Sequence, residues 1–206
     1  MKLLRNIFAA IGVLAVIYVL SGNGGLNSAI QQITQSFSGT RAQSVPASGT
    51  ESSVPKGLVR AVVTKESDGD TLHARVDGRD ETIRILLIDT PEDQKPGTPV
   101  EPYSREAAAY AAQVMPVGST IRLQLGKAPD QRDRYGRLLA YVYEPSGTLY
   151  ENDIVRRGLA RVAYIVKPNT DHLSELERSQ TYAKNKSLKI WSIPGYVTSN
   201  GYNSKK

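Results

Sequence analysis

Three short stretches of the chain gather residues that could act on a charged substrate. The first is Asp68-Gly69-Asp70-Thr71, two carboxylates around a glycine, ahead of a strand-like run. The second spans Arg84 to Glu92 (RILLIDTPE) and holds Arg84, Asp89, Thr90 and Glu92. The third is Asp133-Arg134-Tyr135-Gly136-Arg137. Carboxylate oxygens suit a hard cation such as calcium or magnesium. A guanidinium offers a fork of donors that suits an anionic group. Each stretch also has a plainer reading: a turn with Gly69 allowing the reversal, a strand exit with a helix-cap pattern, and a hairpin loop with solvated charges. Arg84 is the odd residue, because a guanidinium in a run of Ile and Leu needs a partner. Arg84 and Asp89 are five apart, so a flat strand would point them to opposite faces. They share a site only if the chain bends, and Thr90-Pro91 favours a bend near Asp89.

The elements that must position these residues follow from hydrophobic period and turn signals. Residues 58–64 (LVRAVVT) are β-branched and read as a strand. Residues 71–76 alternate, with Leu72, Ala74 and Val76 on one face. Asp77-Gly78 is a turn, and 82–89 (TIRILLID) reads as a third strand, apolar on both faces after Arg84. Residues 90–100 hold three prolines and a glycine and form a loop. A helix is predicted over 103–115, with Tyr103, Ala107, Tyr110 and Val114 at helical spacing and Pro116 as the stop. Residues 120–125 and 137–143 are a fourth and a fifth strand. A short helix over 152–157 ends at Gly158, and 170–187 is an amphipathic helix with Leu173, Leu176 and Ala183 inward. The class is α+β, and five antiparallel strands of this size can close into a Greek-key barrel of the OB type.

Composition bounds the chemistry. The 206 residues include no Cys and only two histidines, His73 and His172, far apart in sequence. That excludes disulfides and thiolate metal sites and argues against a zinc site of the His/Cys kind. The net charge is +6. Lys2 and Arg5 contribute two of it and leave +4 for the remainder, which permits a nucleic-acid partner without singling one out.

Lys2 and Arg5 precede 7–20, fourteen residues that are all apolar or Gly. A basic region followed by an apolar one is an export pattern. The expectation is a signal peptide or signal anchor over 1–20, with an uncleaved anchor slightly favoured. A Ser/Gly/Gln/Thr-rich flexible linker follows over 21–56, then a folded domain over 57–197 and a disordered tail over 198–206. The domain would lie outside the cytoplasm, membrane-anchored at the cell surface or secreted, and act as a monomer.

Taken together, SDGDTL, IRILLIDTPE, DRYGRLLAYVY and VRRGLARVAYIVKPN resemble, in order and spacing, the staphylococcal nuclease (thermonuclease) family over about residues 58–191. The resemblance implies a five-stranded OB barrel with about three helices and a calcium-dependent nuclease hydrolysing DNA and RNA with little sequence specificity. It implies Asp70 and Asp89 as calcium-binding carboxylates, Thr90 as a backbone-carbonyl ligand and Asp68 as a supporting acid behind them. It implies Arg84 and Arg137 as the phosphate-gripping arginines and Glu92 as the catalytic glutamate. Arg134, Tyr135 and Tyr164 would line the nucleotide site. Two positions depart from the family's type member: Arg134 replaces a lysine, which keeps charge but changes geometry, and Val166 stands where a second binding-site tyrosine would be. The competing expectation is an OB-type nucleic-acid-binding module without catalysis, since fold alone does not fix function.

Overall fold

The computed structural model describes residues 57–65, 68–92 and 100–203. The export pattern at 1–20 and the linker at 21–56 lie outside the described residues.

Five strands close a barrel in the order β1-β2-β3-β6-β5: β1 (Val59–Lys65), β2 (Thr71–Val76), β3 (Arg79–Ile85), β5 (Thr120–Leu125) and β6 (Leu138–Tyr143). Alternation drives it. Ala61 and Val63, Leu72, Ala74 and Val76, Ile83 and Ile85, Ile121 and Leu123, and Leu138, Ala140 and Val142 all point inward and are buried. Burying each of the larger side chains contributes about 1.5–3 kcal/mol. Four of the five junctions are antiparallel, but β3 and β6 run parallel, with Ile83 opposite Leu138 and Arg84 opposite Leu139. The all-antiparallel expectation is corrected there. The chain leaves β3, traverses α1 (Ser104–Val114) and β5, and returns along β6, and this long crossover lets the last junction be parallel.

The predicted strand over 82–89 is two pieces. It breaks at Leu86-Leu87, where Leu87 takes φ 62°, and resumes as β4 (Ile88–Asp89), which pairs with β7 (Arg161–Val162) in a separate two-stranded sheet. The bend needed to bring Arg84 and Asp89 to one side therefore lies at Leu87, ahead of Thr90-Pro91. Positive φ on a bulky residue is strained by roughly 1–3 kcal/mol and persists only where packing over-determines it. Leu87 is buried, its carbonyl accepts from Ala163 N at 2.9 Å, and the amide of Leu86 donates to Ala140 O at 3.0 Å.

Three helices pack on this frame. α1 buries Ala107 and Tyr110. α2 (Tyr150–Arg156) starts two residues before the predicted helix and buries Tyr150, Ile154 and Val155. α3 (Leu173–Asn185) buries Leu176 and Ala183. No helix among the described residues is long and apolar enough to cross a membrane. After a 3-10 turn at Lys189–Ser192 come β8 (Val197–Thr198) and β9 (Gly201–Tyr202), an antiparallel hairpin. The second half of this hairpin falls within 198–206, the segment expected as a tail. Tyr196 is buried at the hairpin's base, its ring lies 5.2 Å from that of Tyr202, and its hydroxyl donates to Pro102 O at 2.9 Å.

Candidate active site

Asp70 sits at the mouth of β2, where β2 meets β3. Its backbone carbonyl accepts from Ile85 N at 2.9 Å. Its carboxylate accepts from Thr71 Oγ1 at 3.0 Å and from the backbone amide of Thr90 at 3.1 Å. That last bond ties the first sequence cluster to the second. The preceding glycine is needed for closeness rather than for a reversal. A Cβ on Gly69 would lie 2.8 Å from Thr90 Cγ2 and 3.0 Å from Ala107 Cβ, while Tyr150 Oη donates to the Gly69 carbonyl at 2.6 Å. Gly69 lets this loop press against α1 and Thr90 together.

Arg84 occupies the space between the acids. Its Nη1 donates to the carbonyls of Asp70 at 2.9 Å and Ile85 at 3.2 Å, and its Nη2 to Ile88 O at 3.0 Å. Nη2 is also 3.2 Å from the Asp70 carboxylate and 4.0 Å from that of Asp89. The partner that a guanidinium in an apolar strand requires is therefore a set of three carbonyls and two carboxylates.

Asp89 is 7% exposed. Its Oδ2 accepts from Arg161 Nε at 2.8 Å and its Oδ1 from Tyr164 Oη at 3.4 Å. Burial pushes the Asp89 carboxyl above the usual range. The hydrogen bond and charge of Arg161 oppose that shift, the nearby Asp70 charge adds to it, and Arg84 opposes it. Tyr164, with φ 52° and 62% exposed, lays its ring 5.1 Å from the Arg84 guanidinium. Val166, two positions on, is also 62% exposed.

Glu92 is exposed and lies at the start of the 93–99 segment. Its amide donates to Glu101 Oε2 at 2.8 Å and its carbonyl accepts from Glu101 N at 3.1 Å, so Glu101 holds the Glu92 backbone. Its carboxyl is raised, first by partial burial and then by the charges of Asp70, Asp68, Asp89 and Glu101. A glutamate surrounded by negative charge holds a proton more readily than a free one, which suits a proton acceptor. Asp68 contributes to that shift through its charge, after burial and Asp70.

The third cluster forms a separate unit, exposed at Arg134, Tyr135 and Gly136 and half-buried at Asp133 and Arg137. Asp133 organises it, with Oδ1 accepting from the amides of Tyr135 and Arg137, each at 2.9 Å, and Oδ2 from Arg137 Nε at 2.6 Å. Burial tends to raise the Asp133 carboxyl, but these bonds outweigh it and hold it below the usual value. Tyr135 is 68% exposed, with Arg134 4.8 Å and Arg137 5.5 Å from its ring. Arg84 lies on β3 and Arg137 just ahead of the neighbouring β6, whose Leu139 pairs with Arg84.

Among the described residues no three acidic or histidine side chains form a metal-holding group. The donors at hand are instead Asp70, Asp89 and the Thr90 segment, where Thr90 Oγ1 is buried without a hydrogen-bond partner. Two carboxylates with backbone and hydroxyl oxygen fit a hard divalent cation that keeps part of its shell as water or substrate oxygen.

Sequence reasoning passed over Arg161 and Tyr202. Tyr202 Oη donates to the Asp89 carbonyl at 2.6 Å. The one signal for this was the pair of Gly-Tyr steps, Gly195-Tyr196 and Gly201-Tyr202, around Ser199-Asn200.

Residues 82–193 match the staphylococcal nuclease homologue family. The chain is 40% identical over 148 residues to endonuclease YncB of Bacillus subtilis (strain 168), covering 72% of this chain and 69% of that protein. It is 41% identical over 148 residues to the SPbeta prophage-derived endonuclease YokF of the same organism, covering 72% of this chain but about half (49%) of that protein. To the thermonuclease of Staphylococcus intermedius it is 36% identical over 134 residues, covering 65% of this chain and 74% of that protein. A barrel of this topology, with two buried aspartates bridged by Arg84 inside the matched span or beside it, accords with those likenesses, and the chain belongs to the staphylococcal nuclease family.

Proposed function

We propose that the chain is a nuclease, a hydrolase that cleaves phosphodiester bonds of DNA and RNA with little sequence specificity and depends on calcium. The observation that carries this reading is the convergence of Asp70, Asp89 and Arg84 in one nearly buried site, in a chain whose relatives are named as endonucleases and thermonuclease.

Asp70, Asp89 and the Thr90 carbonyl would hold calcium, which when bound supplies a Lewis acid for a phosphate oxygen and a place for the attacking water. Glu92 orients that water and accepts its proton as the new P–O bond forms. Charge then builds on the equatorial oxygens, and Arg84 and Arg137 stabilise it with paired donors. Neither arginine serves as the acid for the leaving oxygen, since a guanidinium holds its proton above pH ~12. Water supplies that proton. Tyr135 and Tyr164 flank a base, with Arg134 beside them for the backbone, and stacking on ring faces is tolerant of sequence.

The basic-then-apolar pattern at 1–20 supports an exported domain, held at the membrane or released, and mass spectrometry of cell and medium fractions distinguishes the two. The activity itself is tested by digesting plasmid DNA and RNA with the full chain in calcium, then with chelator. Cleavage that chelator abolishes and calcium restores is the expected result; persistence in chelator would sink the cation dependence, and no cleavage under any condition would leave the non-catalytic binding module.

A further inference from the structure

The hairpin of β8 and β9 begins beyond residue 193, where the family match ends, yet it grips the site. Tyr202 holds the Asp89 carbonyl at 2.6 Å. Arg161, opposite Asp89 in the β4·β7 pair, holds the Asp89 carboxylate through Nε at 2.8 Å, while its Nη1 reaches the Ser199 carbonyl at 3.2 Å and the Thr198 carbonyl at 3.5 Å. One guanidinium thus spans the hairpin turn and the acid. The hairpin is braced in its own right: Asn203 N donates to Tyr196 O at 2.8 Å, and Thr198 Oγ1 donates to Gly201 O at 3.0 Å and accepts from Asn200 N at 3.2 Å.

Asp89 is therefore clamped at both main chain and side chain. With Oδ2 committed to Arg161, Oδ1 is the oxygen left on the side of Tyr164 and Arg84. We infer that the C-terminal hairpin is a positioning element of the cation site, acting through Tyr202 and Arg161 to aim Asp89 and so to set affinity for the divalent ion. This rests on the reading of Asp70 and Asp89 as cation ligands. Groups behind a metal's direct ligands commonly control affinity by fixing ligand orientation, with losses of 10–100-fold on mutation. Tyr202 and Arg161 are positioning residues in this sense.

The test is calorimetric titration of calcium into the full chain without nucleic acid, for the natural protein and for Asp70→Asn, Tyr202→Phe and Arg161→Lys. The natural protein is expected to bind and Asp70→Asn to lose binding. Tyr202→Phe should weaken binding roughly tenfold, and its cleavage activity should recover as calcium is raised. Arg161→Lys keeps the charge at Asp89 but loses the fork to Thr198 and Ser199, and should weaken binding as well. If both hairpin variants melt lower but bind calcium as the natural protein does, the hairpin is only a structural staple and the inference falls while the cation reading stands. If the natural protein binds no calcium, the cation reading fails and the inference with it.

Discussion

Arg84 on β3 and Arg137 just ahead of the neighbouring β6 are proposed to grip the same phosphate, yet their surroundings are opposite. Arg84 is 11% exposed in its side chain and bonded to three backbone carbonyls and a buried carboxylate. Arg137 is 31% exposed and paired with Asp133, four residues away in its own loop. The first arginine is part of the architecture: it joins the Asp70 turn, the Leu87 bend and β4. The second is held locally and could shift without disturbing the barrel. Under the proposed function, the buried half would carry geometry for the ion and the half around Arg137 would meet the polymer.

That contrast can be broken experimentally. The largest effect is expected at Glu92: Glu92→Ala should lower kcat by roughly 10²–10⁴-fold as the proton acceptor is lost, with unchanged turnover removing Glu92 from that role. The two arginines come next. Each change to Ala should reduce kcat by about 10²–10³-fold, as for loss of one donor to a transition-state oxyanion. Their stabilities should differ. Arg84→Ala takes the shared cation from two nearly buried carboxylates and a donor from three carbonyls and should cost at least about 1–3 kcal/mol, whereas Arg137→Ala gives up one partly exposed ion pair and should cost no more than about 1 kcal/mol. Equal melting temperatures for the two would erase the distinction between the halves. Smaller again is Tyr135→Ala, which removes an exposed stacking face worth about 1–3 kcal/mol per base. It should raise KM and spare kcat, and a loss confined to kcat would place Tyr135 in the chemistry instead.

The smallest effect concerns the barrel beneath. Glu151 is fully buried, and both its oxygens accept from Val142 N, at 3.1 and 3.3 Å. Burial raises its carboxyl well above 4.5, with its own and the Val142 backbone amides opposing. A carboxyl whose folded value is raised contributes stability below the unfolded value and loses it as pH rises through the folded one. Glu151→Gln should therefore gain melting temperature relative to the natural protein as pH climbs above 4.5. A constant difference across pH would mean that Glu151 does not titrate differently in the folded state.

Much of the barrel was legible because a strand with one buried face writes itself as alternation, and β2 and β5 fall on their predicted residues. The break at Leu87 was not, because Ile85-Leu86-Leu87-Ile88 has no turn residue and the strained φ is imposed by contacts from Ala140 and Ala163. The site was legible as residue types in order, since carboxylates, arginines and their spacing belong to the primary structure. Asp133 and Glu101 escaped assignment because their work is to hold Arg137 and the Glu92 backbone, and holding has no signature of type. Arg161 and Tyr202 escaped for the same reason across a longer distance: Tyr202 meets Asp89 over 113 positions.

The sequence by itself determined which groups this protein can bring to a phosphodiester, and the β period of most of the frame that carries them. Both are local properties, written in side-chain chemistry and in alternation along a few residues. Tertiary structure alone decided that Arg84 and Asp89 share a side, that β3, which carries Arg84, pairs in parallel with β6, which follows Arg137, and that the β8–β9 hairpin closes on Asp89. Each depends on contacts between segments far apart in the chain, formed only once the barrel core is buried.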